Sequence, residues 1–397
     1  MHRKTPEIKS LYYITHVDNV VSILQCGILS HQLVQDRGIA YKPIYDDAIV
    51  NNRENKTAPD GKSLRRFANV YFQPRNPMLY RVLHERDAND LAIVGVRPQV
   101  LSRPGAFVAL GNAASGATEI VPSAEGRKRI SEIWETINSN WWNAVDGSKR
   151  RIMAECLVPD SIAPDDIHTI FVASHEAAES VRRLQLPSAI TVVPEPAMFF
   201  RPSRRFRVTD KLFLADGDMF FSTMQTLTVS VNVVGIMGKG LASRAKYQFP
   251  DVYVMYQDAC RRRKLRMGRP YLYKREAFVD EELADEPGTL PEVNANKWFL
   301  LFATKRHWRD TSDLQGIREG LQWVRENYAT EGIKSLALPA LGCGLGRLKW
   351  QDVGPIMCQE LANLNIQVAI YLPREHQISE EYLSPQYLLS PRESEGD

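Results

Sequence analysis

The sequence predicts two domains: a front half of mixed strands and helices, and a back half of the α/β class. In the back half a mainly parallel sheet is covered by helices on both faces, a three-layer arrangement. Three observations carry this. A chain of 397 residues exceeds what one hydrophobic core ordinarily supports. Pro194-Glu195-Pro196 and Arg201-Pro202-Ser203-Arg204-Arg205 punctuate the chain near its middle, and the pattern changes there. Beyond them strands Thr226–Asn232, 298–302, 335–341 and 366–372 alternate with helices 239–249, Leu314–Asn327 and 353–364. Such alternation puts binding sites at the C-terminal ends of the strands.

Composition narrows the class. Hydrophobic content of 44% and charged content of 24% are ordinary for a globular protein in water. No apolar run is long enough to span a bilayer, and Met1-His2-Arg3-Lys4-Thr5-Pro6 leads into no signal-like apolar core, so no membrane partner is expected. Cys26, Cys156, Cys260, Cys343 and Cys358 are scattered without a C-x-x-C pair. That argues against a zinc ribbon or a disulfide framework and suits a reducing cytoplasm, with no metal site expected. The net charge of +3 is too small to establish a polyanionic partner. Local clusters carry more information, notably Arg150-Arg151, Arg204-Arg205 and Arg261-Arg262-Arg263-Lys264, although most such runs are solvated faces.

In the front half, Leu11-Tyr12-Tyr13-Ile14-Thr15-His16 reads as a strand. Asp18 reads as the N-cap of a helix with Val20, Val21 and Leu24 on its apolar stripe and Gly27 as its stop. Delivering Thr15-His16 to a helix start puts donors where an anion or an amide can be held, though a capped surface turn has the same pattern. Gly38 to Ser63 is polar, with Ile49, Val50 and Arg53 able to share one helical face. Phe67 to Tyr80 is an aromatic strand breaking into a proline-flanked turn that carries Arg75. The Gly-, Ala- and Ser-rich stretch from Arg103 to Ile133 suggests a long loop beside a site rather than core. Trp134, Trp141 and Trp142 read as packing residues, and beside Arg150-Arg151 would also suit stacking on unpaired bases.

Arg150 to Val158 reads as a strand with Ile152, Ala154, Cys156 and Val158 on one face and Arg151, Met153, Glu155 and Leu157 on the other. A carboxylate between two apolar side chains is costly unless something nearby needs its charge. A cross-sheet arginine partner is the bland explanation of Glu155.

The segments YITH, YFQPRNPMLY, RRIMAECLV and the strand 167–172, with an arginine in the polar helix, resemble the DarT family over residues 5 to 200. DarT enzymes are ADP-ribosyltransferases that use NAD to modify a base in single-stranded DNA. The resemblance implies an α+β ADP-ribosyltransferase fold, with Arg53 and Glu155 as the catalytic arginine and glutamate. Tyr13, Ile14 and Thr15 fall on the nicotinamide-holding segment, and Tyr13 stands where the family commonly has His. Arg53 also has a diphosphate contact as a competing role. Arg75, Met78 and Arg151 are the candidate DNA contacts. The chemistry suits these residues: breaking the nicotinamide–ribose bond develops positive charge on the ribose, which a carboxylate in a dry site stabilises. Always charged, an arginine is better suited to steadying the base as it loses a proton than to acting as the base itself. A base inside a duplex cannot be reached, so the substrate strand must be single.

In the back half, Ser230 to Gly240 and Gly342-Cys343-Gly344-Leu345-Gly346 are two glycine-rich loops at strand ends, and their free N–H groups suit a diphosphate. Asp218 could accept from an adenine amine or simply shape a turn. Lys305 lies just past a buried strand end, where desolvation lowers an amine's pKa and makes it nucleophilic. An ordinary solvated lysine is the alternative.

The motifs GDM, VNVVGIMGKG, TKRHWRD and LPALGCGLGRLKW resemble a macrodomain of the DarG type, the antitoxin partner of DarT. By that resemblance Lys305 acts at the ribose anomeric carbon, Asp218 holds adenine and Asn232 the distal ribose. Gly238, Lys239, Gly240, Gly344, Leu345 and Gly346 hold the phosphates of bound ADP-ribose. The related human terminal ADP-ribose protein glycohydrolase carries a catalytic aspartate where this chain has Gly346. Separate DarG proteins also carry a further C-terminal domain, whereas the tail here is short, which favours control by reversal over a steric block.

The expectation is therefore a DarT–DarG fusion. Residues 1–202 form the transferase, 203–207 a linker, 208–375 the macrodomain and 376–397 a polar tail, with contact between the domains. NAD is the substrate, single-stranded DNA the partner, and thymine is favoured over guanine. The alternative is transfer to RNA or protein, with a macrodomain that only binds ADP-ribose. A catalytically dead scaffold is the third reading.

Overall fold

The computed structural model describes residues 7–44, 53, 56–143, 145–184, 186–276, 297–373 and 377–390. The described chain forms two compact units that meet between Phe199 and Phe200, three residues before the boundary expected from the proline punctuation.

The front unit is built on an eight-stranded, mostly antiparallel sheet. Its order is Thr191–Pro194, Ile167–Val172, Leu91–Val96, Leu11–His16, Phe67–Tyr71, Glu155–Pro159, Phe107–Ala109, Ile120–Pro122. One face packs Val70, Val94, Val108, Cys156 and Val158 under Val20, Ile23 and Leu24 of the helix Val20–Cys26 and Ala178 and Val181 of the helix His175–Arg182. A smaller core on Phe67, Phe107, Ala109 and Leu157 includes Ala58, Leu64 and Ala113. Each large apolar side chain so buried contributes about 1.5–3 kcal/mol.

Several expectations change here. Arg150 and Arg151 are not strand: Ser148–Arg151 is a short helix, started by the left-handed Gly147, and the strand begins at Glu155. The alternation of Ala154, Cys156 and Val158 toward the core holds, but upstream the Asp146 carboxylate takes the Ser148 N–H and winds the chain into a turn. Asp18 does not cap the first helix. The His16 ring accepts from the Asp18 N–H, and a 3-10 turn Val17–Asn19 precedes Val20–Cys26, whose buried residues are Val20, Ile23 and Leu24 rather than Val21. Gly27 is the stop, at φ +85°, with Ile162 O only 2.2 Å from where a Cβ would sit. Residues 103–133 are not one long loop. They include the strands Phe107–Ala109 and Ile120–Pro122 and the helix Ser123–Glu132, because Val108, Val121 and Ile130 find core partners. Ile49 and Val50 of the expected polar helix lie outside the described residues.

The back unit is a seven-stranded sheet in the order Arg204–Arg207, Leu212–Asp216, Gln367–Tyr371, Ser335–Pro339, Thr226–Asn232, Trp298–Lys305, Tyr271–Tyr273. The five inner strands are parallel and the two edges antiparallel. Leu300 and Phe302 point into one core with Ile317, Leu321 and Met357; Phe299, Leu301 and Ala303 point into the other with Val252 and Tyr256. That is the three-layer arrangement expected. The expected linker 203–207 is instead the edge strand Arg204–Arg207, held by backbone pairing to Leu212–Asp216. The expected polar tail also contributes to the fold, since Leu383 and Leu388 are buried against the core and Tyr382 O accepts from the Trp350 indole.

Candidate functional site

In the front unit the strand Glu155–Pro159 lies between Phe67–Tyr71 and Phe107–Ala109, so Glu155 pairs in register with Tyr71 on one side and Ala109 on the other. The Glu155 side chain is wholly buried. A lone buried carboxylate costs several kcal/mol, and two donors offset that cost. The Ala113 N–H donates to Oε1 at 2.8 Å, and the Arg53 guanidinium donates to Oε2 at 3.2 Å. The cross-chain arginine of the bland explanation is thus the same Arg53 singled out as catalytic. Ala113 is delivered by the tip of the hairpin between Phe107–Ala109 and Ile120–Pro122, which is pinned by Asn112 N–H donating to Arg150 O at 3.1 Å.

Tyr13, expected from the sequence, and Tyr71 and His31, not singled out there, interact electrostatically with this pair. Burial and then the Tyr41 ring push the Tyr13 hydroxyl up to about 12, against the pull of Arg53. Tyr71 is raised further, by burial and then by Glu155. Burial, then Arg53 and Arg65, hold His31 down to about 4. These groups stay neutral near pH 7. Tyr71 lies in the aromatic strand after Phe67, but its pairing with Glu155 is a sheet register no local pattern reveals.

Ile14 and Thr15 are buried on the strand beside Leu91–Val96. Thr15 Oγ1 accepts from Asn19 Nδ2 at 3.1 Å, and the Asn19 amide also clasps the Lys42 backbone, holding Lys42 near this strand end. Arg75 lies in the turn before the helix Pro77–Glu85 and donates to Asn140 Oδ1 at 3.3 Å. Met78 is half-buried in that helix's first turn, and Arg151 is exposed at the end of Ser148–Arg151. Of the tryptophans, Trp142 is buried edge-on against Tyr80.

In the back unit Lys305 ends the strand Trp298–Lys305. Its amine donates to Asp310 O at 3.0 Å and to Leu345 O at 3.2 Å, so it spans two loops. Burial, then the Arg347 charge, lowers its pKa against the opposing pull of Asp310. Gly238, Lys239, Gly240, Gly344 and Leu345 are exposed. The two glycine loops meet, with the Leu345 side chain 3.1 Å from where Gly240 would carry a Cβ. Around Gly344 there is open space. The helix Gly240–Gln248 starts at this point and aims its free N–H groups at it.

Asn232 acts on its own loop: Nδ2 donates to Ile236 O at 2.7 Å, and Oδ1 accepts from Val234 N and from the Tyr256 hydroxyl. Asp218 caps Phe220 N and pairs with Arg244 at 2.7 Å, the guanidinium lying over the Phe220 ring. Gly346 is buried, and a Cβ there would stand 2.2 Å from Ser312 Oγ and 2.5 Å from Gly342 O. The absent aspartate therefore has no room.

Among the described residues no group of three or more His, Cys, Asp or Glu side chains could hold a metal ion. No described helix is long and apolar enough to cross a membrane.

Residues 12–200 match the family described as ssDNA thymidine ADP-ribosyltransferase, DarT. Over 385 residues the chain is 52% identical to a DNA ADP-ribosyl transferase–DNA ADP-ribosyl glycohydrolase fusion protein of Thermosipho africanus, covering 97% of this chain and 99% of the relative. The solved structure of Thermosipho africanus DarTG in complex with ADP-ribose superposes with a TM-score of 0.90, at 52% identity, covering 96% of this chain and 100% of the other. A DNA ADP-ribosyl glycohydrolase of Thermus aquaticus is 33% identical over 161 residues, 40% of this chain and 41% of that protein. The chain belongs to the family of DNA ADP-ribosyl transferase–DNA ADP-ribosyl glycohydrolase fusion proteins, with an α+β transferase fold followed by a macrodomain.

Proposed function

We propose that this chain writes and erases one modification of DNA. The front unit transfers ADP-ribose from NAD to a base in single-stranded DNA, and the back unit hydrolyses the bond it formed. The observation that carries this is the wholly buried Glu155 carboxylate, held by the Ala113 amide and 3.2 Å from Arg53. A fixed negative charge in a dry site stabilises positive charge building on the ribose as nicotinamide leaves. Arg53, beside it, steadies the base as its proton departs, and Tyr13, Ile14 and Thr15 line the nicotinamide end. Arg75, Met78 and Arg151 meet the strand. The base is thymine, in keeping with the description of the matching family. Free cysteines at all five positions suit the reducing cytoplasm in which we place the activity.

In the back unit the glycine loops hold the diphosphate, Asp218 the adenine and Asn232 the distal ribose. An uncharged Lys305 is the nucleophile at the anomeric carbon; the base leaves with a proton, and water completes the release. Gly346 leaves no carboxylate to assist, so the step falls to the Lys305 amine, which bridges the two loops and whose pKa burial and then Arg347 lower.

The test uses the full chain carrying Lys305→Ala, incubated with NAD and a single-stranded oligonucleotide. A mass gain of one ADP-ribose is expected, and adding Glu155→Ala removes it. No gain on DNA, with label appearing on RNA or protein instead, would overturn the choice of acceptor.

A further inference from the structure

Among the described residues, nine large hydrophobic side chains are exposed, and four of them, Val234, Ile236, Trp308 and Leu345, stand on the loops around Lys305. Chance does not place them there: they occupy loops following three different strands, joined by Val233 N–H donating to Arg306 O and by the Lys305 amine donating to Leu345 O. An ADP-ribose diphosphate is met by glycine N–H groups and needs no apolar rim. A rim of this kind marks a ligand that extends beyond the pocket.

Trp308 identifies the chemistry. It is 46% exposed, large for a tryptophan, and lies three residues after Lys305. The Arg309 guanidinium covers its ring at 4.5 Å, and the His307 ring leans on it at 5.2 Å. Arg306 and Arg309 flank it in the chain, Arg347 lies two residues after Leu345, and all three are exposed. An aromatic plane amid cations is the pattern that binds unpaired nucleic acid: a base stacks on the ring and the cations take the phosphates. The loop is also firmly built. His307 N–H donates to Asp310 Oδ2 at 2.8 Å, Asp310 N–H to His307 O at 3.1 Å, and Arg309 N–H to His307 Nδ1 at 3.3 Å. Asp310 O in turn accepts from Lys305. A strand resting on Trp308 is thereby registered against the nucleophile through one short turn.

We infer that Trp308 is a stacking platform for a base of the modified strand adjoining the ADP-ribosylated nucleotide. On binding, the base displaces the Arg309 guanidinium from the ring, and the guanidinium moves to the backbone phosphate. This makes the back unit selective for ADP-ribose carried on single-stranded nucleic acid. It rests on the proposed erasing activity and deepens it.

The experiment uses full-length protein without NAD, so that the transferase is idle. Two substrates are made from one preparation: an oligonucleotide modified by the Lys305→Ala chain, and the same material trimmed by nuclease to the single modified nucleotide. Release of ADP-ribose from each is followed at varied concentration. For Trp308→Ala we expect KM on the oligonucleotide to rise about ten-fold, with the trimmed nucleotide unaffected and Trp308→Phe close to the parent. Equal losses on both substrates, unrestored by Trp308→Phe, would mean that Trp308 only supports the Lys305 loop. No change on either would remove its role. If the parent releases nothing from either substrate, the erasing activity itself fails, separately from Trp308.

Discussion

The carboxylate of Glu155 lies 3.2 Å from the guanidinium of Arg53, across 102 positions of chain, and no solvent reaches the carboxylate. Were this pair structural, removing one charge would strand the other and cost about 3–5 kcal/mol. We instead place it at the reacting ribose. Glu155→Gln keeps the shape and removes the charge, so we expect transferase turnover to fall at least about 100-fold. The Arg53 side chain keeps 12% exposure and can turn to solvent, so thermal unfolding of the front unit should shift by only a few degrees. A large loss of melting temperature with turnover retained would assign the pair to the fold.

With Lys305 in the proposed role, the glycohydrolase step should accelerate as pH rises, because only an uncharged amine is nucleophilic. Its pKa lies below that of an ordinary lysine, through burial and then the neighbouring Arg347. The pH midpoint of ADP-ribose release should therefore sit below the normal lysine range. Arg347→Gln removes one of the two lowering influences, so the midpoint should move upward. A profile that is flat, or unmoved by Arg347→Gln, would separate the rate from this amine.

Placing at position 346 the aspartate expected from the resemblance to the human glycohydrolase should harm this chain. A side chain at position 346 meets Ser312 Oγ at 2.2 Å and the Gly342 carbonyl at 2.5 Å. Gly346→Asp should cost about 1–3 kcal/mol of stability, the usual penalty for overfilling a packed site, and weaken ADP-ribose binding. Calorimetric titration with ADP-ribose and a melting curve check both. Unimpaired binding with faster release would show that the loop yields.

His31 makes the front unit sensitive to acid. Its folded-state pKa is held down to about 4, from an ordinary value of 6.5, by burial and then by Arg53 and Arg65. The unfolded chain takes up the proton first, so the contribution is complete above about 6.5 and is lost as pH falls toward 4. His31→Gln should flatten the stability of this unit across that window. Equal slopes in parent and variant would show that other groups carry the acid loss.

Much of the back unit was legible because its signals are local. Buried strands read as apolar runs, and Asp313 capping Gly316 marks the start of Leu314–Asn327 at the residue the pattern indicated. The glycine loops and Lys305 also stand within a few residues of strand ends. The front unit was harder. Ile152 alternates with Ala154 as a strand would, yet the turn set by Asp146 and Gly147 extends helical winding through Arg151. Glu155 was visible as an acidic residue among apolar neighbours. The Ala113 amide that holds it was hidden in a Gly-, Ala- and Ser-rich stretch whose two short strands form by packing on the core and by pairing with Glu155–Pro159 and each other. Tyr71 and His31 reach the site through sheet register and long-range packing, which no window of sequence contains.

The most direct measurement of writing and erasing by one chain is a time course. Full-length protein is mixed with single-stranded oligonucleotide and a limited amount of NAD, and modified DNA is followed by mass spectrometry. We expect the adduct to rise and then decay to unmodified DNA as NAD is exhausted, while the Lys305→Ala chain rises to a plateau. An adduct that never forms, or one that persists equally in parent and Lys305→Ala, would contradict the central claim.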